Sequence, residues 1–215
     1  TSGQVNSSGN SYVAGLFQGT ADFDPGAGTT NLTSAGANDI FIAKYDSSGA
    51  LVWAKGVGGT SNDSNVALQI DSSGNSYVTG SFRDTADFDP DAGTANLTSA
   101  GSYDSFIAKY DSSGALVWAK GVGGTGTDIG NAIQVDSSGN SYVTGYFSGT
   151  ADFDPGAGTT NLTSAGGNDT FIAKYDSSGA LVWAKGIGGT SSDIAASMQI
   201  SSFSRKSWSI NTTKT

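Results

Sequence analysis

Residues 171–187 read FIAKYDSSGALVWAKGI, and this stretch decides the fold. Two runs rich in β-branched and aromatic residues, Phe171 to Tyr175 and Leu181 to Ile187, suit a pleated surface. Between them lies Asp176-Ser177-Ser178-Gly179. Asp opens a turn by hydrogen bonding to its own backbone, and Gly supplies the positive φ that closes it. A short Gly-containing link between apolar runs reads as a β-hairpin. The same stretch returns at 106–122 and 41–57, changed only at its last residue, where Val replaces Ile. Tyr45, Tyr110 and Tyr175 step by 65 residues, as do Trp53, Trp118 and Trp183, and no insertion breaks the register. Three tandem copies follow, residues 6–70, 71–135 and 136–200.

Outward from the hairpin, the last copy holds two further strand candidates, Asn131 to Val135 and Ser141 to Phe147. Asp136-Ser137-Ser138-Gly139 joins them through the same turn. No stretch between turn signals is long enough for an ordinary helix. The class is all-β, and each unit is a four-stranded antiparallel meander. On the fourth strand one face carries Leu181, Trp183 and Ile187, the other Val182, Ala184 and Gly186. A sheet with one wet face alternates apolar with polar. Two dry faces, one large and one small, predict a layer stacked between neighbours, the blade of a β-propeller. Residues 1–200 are therefore expected to be three propeller blades, an incomplete ring or a fragment of a longer array. Residues 201–215 leave the repeat and form a separate tail. Propellers use four to eight blades, so two chains closing a six-bladed ring as a homo-oligomer is a further expectation.

The run D-S-S-G-N, S-Y-V-T-G, F-I-A-K-Y-D-S-S-G-A-L-V-W-A-K and G-x-G-G-T resembles the bacterial β-propeller repeat family called SBBP, and in outline is similar to NHL-type blades. The resemblance covers residues 2–200. It implies a propeller in a secreted or cell-surface bacterial protein, and no defined enzymatic activity. The signal segment of such a protein is expected outside this chain, which opens at Thr1.

Composition narrows the chemistry. The chain has neither Cys nor His, and all 19 of its acidic residues are Asp. Thiolate and imidazole ligands, thiol nucleophiles and the commonest general base are absent together. A net charge of −9 disfavours nucleic acid and anionic membrane surfaces as partners. No run approaches the length of a membrane span.

Between the second and third strands lies an insertion, roughly Ser148 to Asp169, expected as a long loop at the end opposite the D-S-S-G turns. Long loops on rigid scaffolds often carry function. Its D-x-D-P core places Asp22 and Asp24, Asp87 and Asp89, and Asp152 and Asp154 at equivalent positions. Alternating carboxylates beside a Gly turn resemble the start of an oxygen-ligand Ca²⁺ loop, although Ca²⁺ takes six to eight oxygens. The alternative is a turn in which Asp bonds backbone N–H groups. Gly123 to Asp128 reads as a blade-to-blade turn rather than a Ca²⁺ nonapeptide, which would repeat every nine residues.

Trp53, Trp118 and Trp183 are read as inter-blade core rather than a sugar-stacking surface. Lys44, Lys109 and Lys174 are read as snorkelling at a blade edge. The functional expectation is a non-catalytic binding or structural module for protein or glycan partners. The alternatives are a Ca²⁺-stabilised propeller and a propeller-based hydrolase. Against the last, the three D-x-D motifs are equivalent by repetition, whereas an active site needs one asymmetric constellation.

Overall fold

A computed structural model describes residues 1–200; the tail expected at 201–215 lies outside the described residues. All regular structure within them is β. Strands β1 (Ser2–Val5), β2 (Ser11–Phe17), β5 (Asp39–Tyr45) and β6 (Leu51–Gly59) pair in that order, all antiparallel. The second blade repeats this with β7 (Ser64–Ile70), β8 (Ser76–Phe82), β11 (Asp104–Tyr110) and β12 (Leu116–Gly124). The third uses β13 (Ile129–Val135), β14 (Ser141–Asp152), β15 (Asn161–Tyr175) and β16 (Leu181–Ile187). Blades are offset by one strand from the 65-residue copies, since β7 closes the copy 6–70 but opens the second blade.

The hydrophobic core lies between blades. One cluster joins Tyr12, Ile40, Ile42 and Val57 of the first blade to Phe82, Phe88 and Tyr110 of the second. Another joins Tyr77, Ile107 and Val122 of the second to Phe147, Phe153 and Tyr175 of the third. A single sheet has no interior, so each blade acquires one only by stacking. Strand β8, in the middle blade, is buried at all seven positions. The first strands β1, β7 and β13 pack successively against one another, as the inner strands of radially arranged blades do. The result is an incomplete β-propeller.

Two expectations need correction. The insertion is a small β-hairpin, not a loop: β3 (Thr20–Asp22) pairs β4 (Asn31–Thr33), and β9 (Thr85–Asp87) pairs β10 (Asn96–Thr98). In the third blade the hairpin is continuous with β14 and β15 past a bulge at Ser148/Thr150, so both strands run beyond their expected ends. The hairpin also ties blades together. Gly58 and Gly59 of β6 pair Asp87 and Ala86, and Gly123 and Gly124 of β12 pair Asp152 and Ala151. The second correction concerns the fourth strand, which is not dry on both faces. Tyr175 pairs Leu181 while Lys174 pairs Trp183, so Val182 is the extra residue of a β-bulge and is 52 % exposed.

Candidate functional site

The D-x-D-P residues sit where β3, β9 and β14 end. The Phe between the two carboxylates anchors the motif. The Phe88 ring lies 4.8 Å from that of Phe106 and 5.5 Å from that of Phe82. Its carbonyl accepts a hydrogen bond from the buried Tyr110 hydroxyl at 3.1 Å. With Phe pointing inward, strand alternation turns the flanking Asp side chains the other way.

Each first Asp caps its own hairpin. Asp22 Oδ1 accepts the Asp24 N–H at 3.0 Å and the Thr30 N–H at 2.8 Å. Asp87 does the same for Asp89 and Ala95, and Asp152 for Asp154 and Thr160. These two backbone donors hold the Asp22 carboxyl below the usual carboxylate range. Each second Asp then accepts one more amide, from Gly26, Asp91 or Gly156. Gly28, Gly93 and Gly158 wrap so close over Asp24, Asp89 and Asp154 that a methyl there would strike the carboxylate. The three pairs stay on separate hairpins. Among the described residues no three acidic side chains converge to hold a metal ion.

Two inter-blade clefts bring these hairpins to other charged groups. The first, of about 210 Å³, is lined by Asp39, Lys55 and Gly58 of one blade and Asp87, Asp89 and Pro90 of the next. The second, of about 370 Å³, repeats the arrangement with Asp104, Lys120 and Gly123 facing Asp152, Asp154 and Pro155. Lys55 forms an ion pair with Asp91, the residue that replaces the Gly of the other two copies.

Sequence reasoning passed over a second carboxylate pair at each junction. Asp39 opens β5, and Asp63 closes the turn from β6 to β7. Asp104 and Asp128 are their equivalents in the next repeat. All four are at least 95 % buried. Burial first, and then the nearby Asp39 charge, pushes the Asp63 carboxyl up to about 8, against a lowering by the Arg83 backbone N–H. Asp128 is pushed up to about 7, chiefly by burial, with Asp104 adding to the rise and the Gly124 and Ser148 amides opposing it. Recurrence was the available signal: D-x-F-I-A-K-Y and G-G-T-x-x-D appear in every copy, yet each looks like an ordinary strand entrance or turn.

The aromatic residues lie at blade junctions. The Trp53 indole N–H donates to the Ser112 carbonyl of the next blade, and Trp118 to Ser177, both at 3.2 Å. Their rings rest on Gly114 and Gly179, where an added methyl would come within 3.1 Å. Trp183, which meets no such turn, is exposed. Lys44, Lys109 and Lys174 lie over the Tyr12, Tyr77 and Tyr142 rings at 5.0 to 5.3 Å, where a cation is attracted to the π face.

Comparison with known proteins agrees with this geometry. The profile of the SBBP β-propeller repeat matches residues 117–153, from β12 to the hairpin of the third blade. An uncharacterised WD repeat-containing protein of Acanthamoeba polyphaga mimivirus is 30 % identical over 207 residues, 83 % of this chain. The regulatory protein FlaEY of Caulobacter vibrioides is 31 % identical over 144 residues, 67 % of this chain. The chain spans about 15 % of the length of each of these relatives.

Proposed function

We propose, from the premise that this chain carries β-propeller repeats of the SBBP family, that it is a non-catalytic module. Stacked blades form a rigid scaffold, and their hairpin tips present a repeated face to protein or glycan partners outside the cell or at its surface. The observation that carries the reading is the equivalence of the tips. Residues 26–29, 91–94 and 156–159 are all exposed, at the same place in three blades held by the same junction. One weak contact repeated on a rigid frame gains avidity without any new chemistry. The names of the two relatives, a WD repeat-containing protein and a regulatory protein, fit a module that organises partners.

The test is a glycan and protein array probed with the native chain and with chains whose tips are replaced one, two or three at a time by Gly-Ser. Apparent affinity for any hit is expected to fall about tenfold or more with each tip removed. Affinity that survives loss of all three tips would refute the reading.

A second reading places Ca²⁺ at Asp22 and Asp24, Asp87 and Asp89, and Asp152 and Asp154. It is favoured by the position of the latter two pairs on the walls of the inter-blade clefts. It calls for a Ca²⁺-dependent rise in melting temperature that disappears in Asp152→Asn combined with Asp154→Asn.

A further inference from the structure

Beneath each inter-blade cleft, two buried carboxylates from different elements point at one spot. At the first junction that spot lies over Gly58. A methyl placed there would be 2.6 Å from Asp63 Oδ2 and 2.8 Å from Asp39 Oδ1. At the second it lies over Gly123, where a methyl would be 2.9 Å from both Asp104 Oδ2 and Asp128 Oδ2. The residue at this position is Gly in all three copies, so no side chain fills the space between the carboxylates.

Three of the four carboxylates, Asp39, Asp63 and Asp104, keep at least one oxygen that the protein does not satisfy. Asp63 is 1 % exposed, and among the described residues neither of its oxygens makes a hydrogen bond of ordinary geometry; the Arg83 amide only approaches it. Asp39 is 4 % and Asp104 5 % exposed, and each leaves Oδ1 unpartnered. Their other oxygens accept the Ala35 and Ala100 amides. Asp128 is held by the Gly124 amide at 2.7 Å and by a longer contact from Ser148 at 3.3 Å. Among the described residues the salt bridges are Lys55 with Asp91 and Arg83 with Asp84, so no cationic side chain pairs with either carboxylate pair. A buried carboxylate is tolerated only when a proton or a cation neutralises it.

We propose that each closed blade junction is a divalent-cation site of the Ca²⁺ class, with Asp39 and Asp63 as ligands at the first junction and Asp104 and Asp128 at the second. Hard cations select carboxylate and carbonyl oxygens. Asp39 and Gly58, like Asp104 and Gly123, line clefts wide enough for water, which gives the ion an entrance and its remaining ligands. Two carboxylates make a weak site, in the range of about 0.1 to 1 mM typical of extracellular modules. The ion draws together the first residue of the third strand and the turn into the next blade, so binding and stacking reinforce each other. This site is distinct from the D-x-D-P pairs and does not rest on the hairpin-face reading.

The experiment uses the full chain, stripped with a chelator and titrated with CaCl₂ against KCl of equal ionic strength. Calorimetric binding and thermal unfolding are followed together. Saturating Ca²⁺ is expected to raise the melting temperature by several degrees. Asp63→Asn combined with Asp128→Asn, which keeps shape and removes charge, is expected to abolish both signals. Asp87→Asn combined with Asp152→Asn is expected to leave them in place. The single change Asp128→Asn alters one junction and is expected to reduce the bound calcium while the chain stays folded, a control should the double variant fail to fold. No response of the native chain to 10 mM Ca²⁺ overturns the proposal. So does a response that survives unchanged in the combined Asp63→Asn and Asp128→Asn variant or, should that variant not fold, in the Asp128→Asn chain, or one lost only through the D-x-D-P changes.

Discussion

Nineteen aspartates give the chain its acidity, yet neighbouring groups assign them opposite roles. Asp46, Asp111 and Asp176 cap D-S-S-G turns, each accepting a serine hydroxyl and two backbone amides. Those donors hold their carboxyls below the ordinary range. A lowered native pKa means stability that is present above the unfolded pKa and fades as pH falls. Asp63 and Asp128, raised to about 8 and about 7 by burial, act in the reverse sense. Between the unfolded carboxylate range and these values the native chain holds more protons than the unfolded one, so stability falls as pH rises. With a chelator present, the unfolding free energy is expected to decline by a few kcal/mol from pH 5 to pH 8.5. Asp63→Asn combined with Asp128→Asn should flatten that slope in urea titrations at a series of pH values; an unchanged slope would show that these carboxyls do not carry it. The capping aspartates were legible in the sequence, because their partners lie two to four residues away. The buried pair was not, because Asp39 and Asp63 meet only through strand pairing, and the next blade is what shields Asp63: in the third blade its counterpart Asp193 is exposed, while Asp169 stays buried.

Blade stacking shows the same division between what is local and what is not. Strand identity followed from β-branched and aromatic runs, and the D-S-S-G hairpins followed from their turns. The hairpin in the insertion escaped because its strands are three residues long in the first two blades. Such strands show no periodicity by themselves; they are held by a Thr-Thr hydroxyl contact and, in the second blade, by pairing with the preceding one. Within a junction the energetic centre is the indole seated on a glycine turn. Gly114 and Gly179 carry positive φ and have no side chain, so Trp53 and Trp118 lie flat on the backbone. Trp118→Ala is expected to cost about 1.5 to 3 kcal/mol, chiefly through the burial lost between the half-buried indole and the turn of the next blade. Trp183 occupies the same register with no turn against it, so Trp183→Ala should cost less than about 1 kcal/mol in dilute chain. Urea unfolding of the two variants side by side measures the difference, and equal costs would contradict inter-blade seating.

At the scale of the molecule, the outer faces of the first and third blades are complementary halves of the junction found twice inside. Val57 and Val122 are each 4 % exposed beneath the next blade, whereas Ile187 at the same register is 55 % exposed. On the opposite face, Ala86 and Ala151 are fully buried against the preceding blade, whereas Ala21 is partly exposed. A methyl at Gly49, the counterpart of Gly114 and Gly179, would meet nothing within 4 Å among the described residues. Should a second copy supply the missing neighbour, Trp183 is expected on its Gly49 turn and the end of β16 along the edge of β3 that is unpaired among the described residues. Such a contact is heterologous, so it closes a ring or propagates. Two copies make six blades, within the range that closes. Light scattering at micromolar concentration is expected to give twice the 21.6 kDa chain mass. Trp183→Lys and Ala21→Arg should each yield monomer alone. Mixed together they should form a pair, because one intact back then meets one intact front. A native chain that stays monomeric at about 100 μM, well above the dissociation constants of ordinary specific interfaces, would refute the complementarity. A ladder of higher masses would show that the blade angle propagates rather than closes.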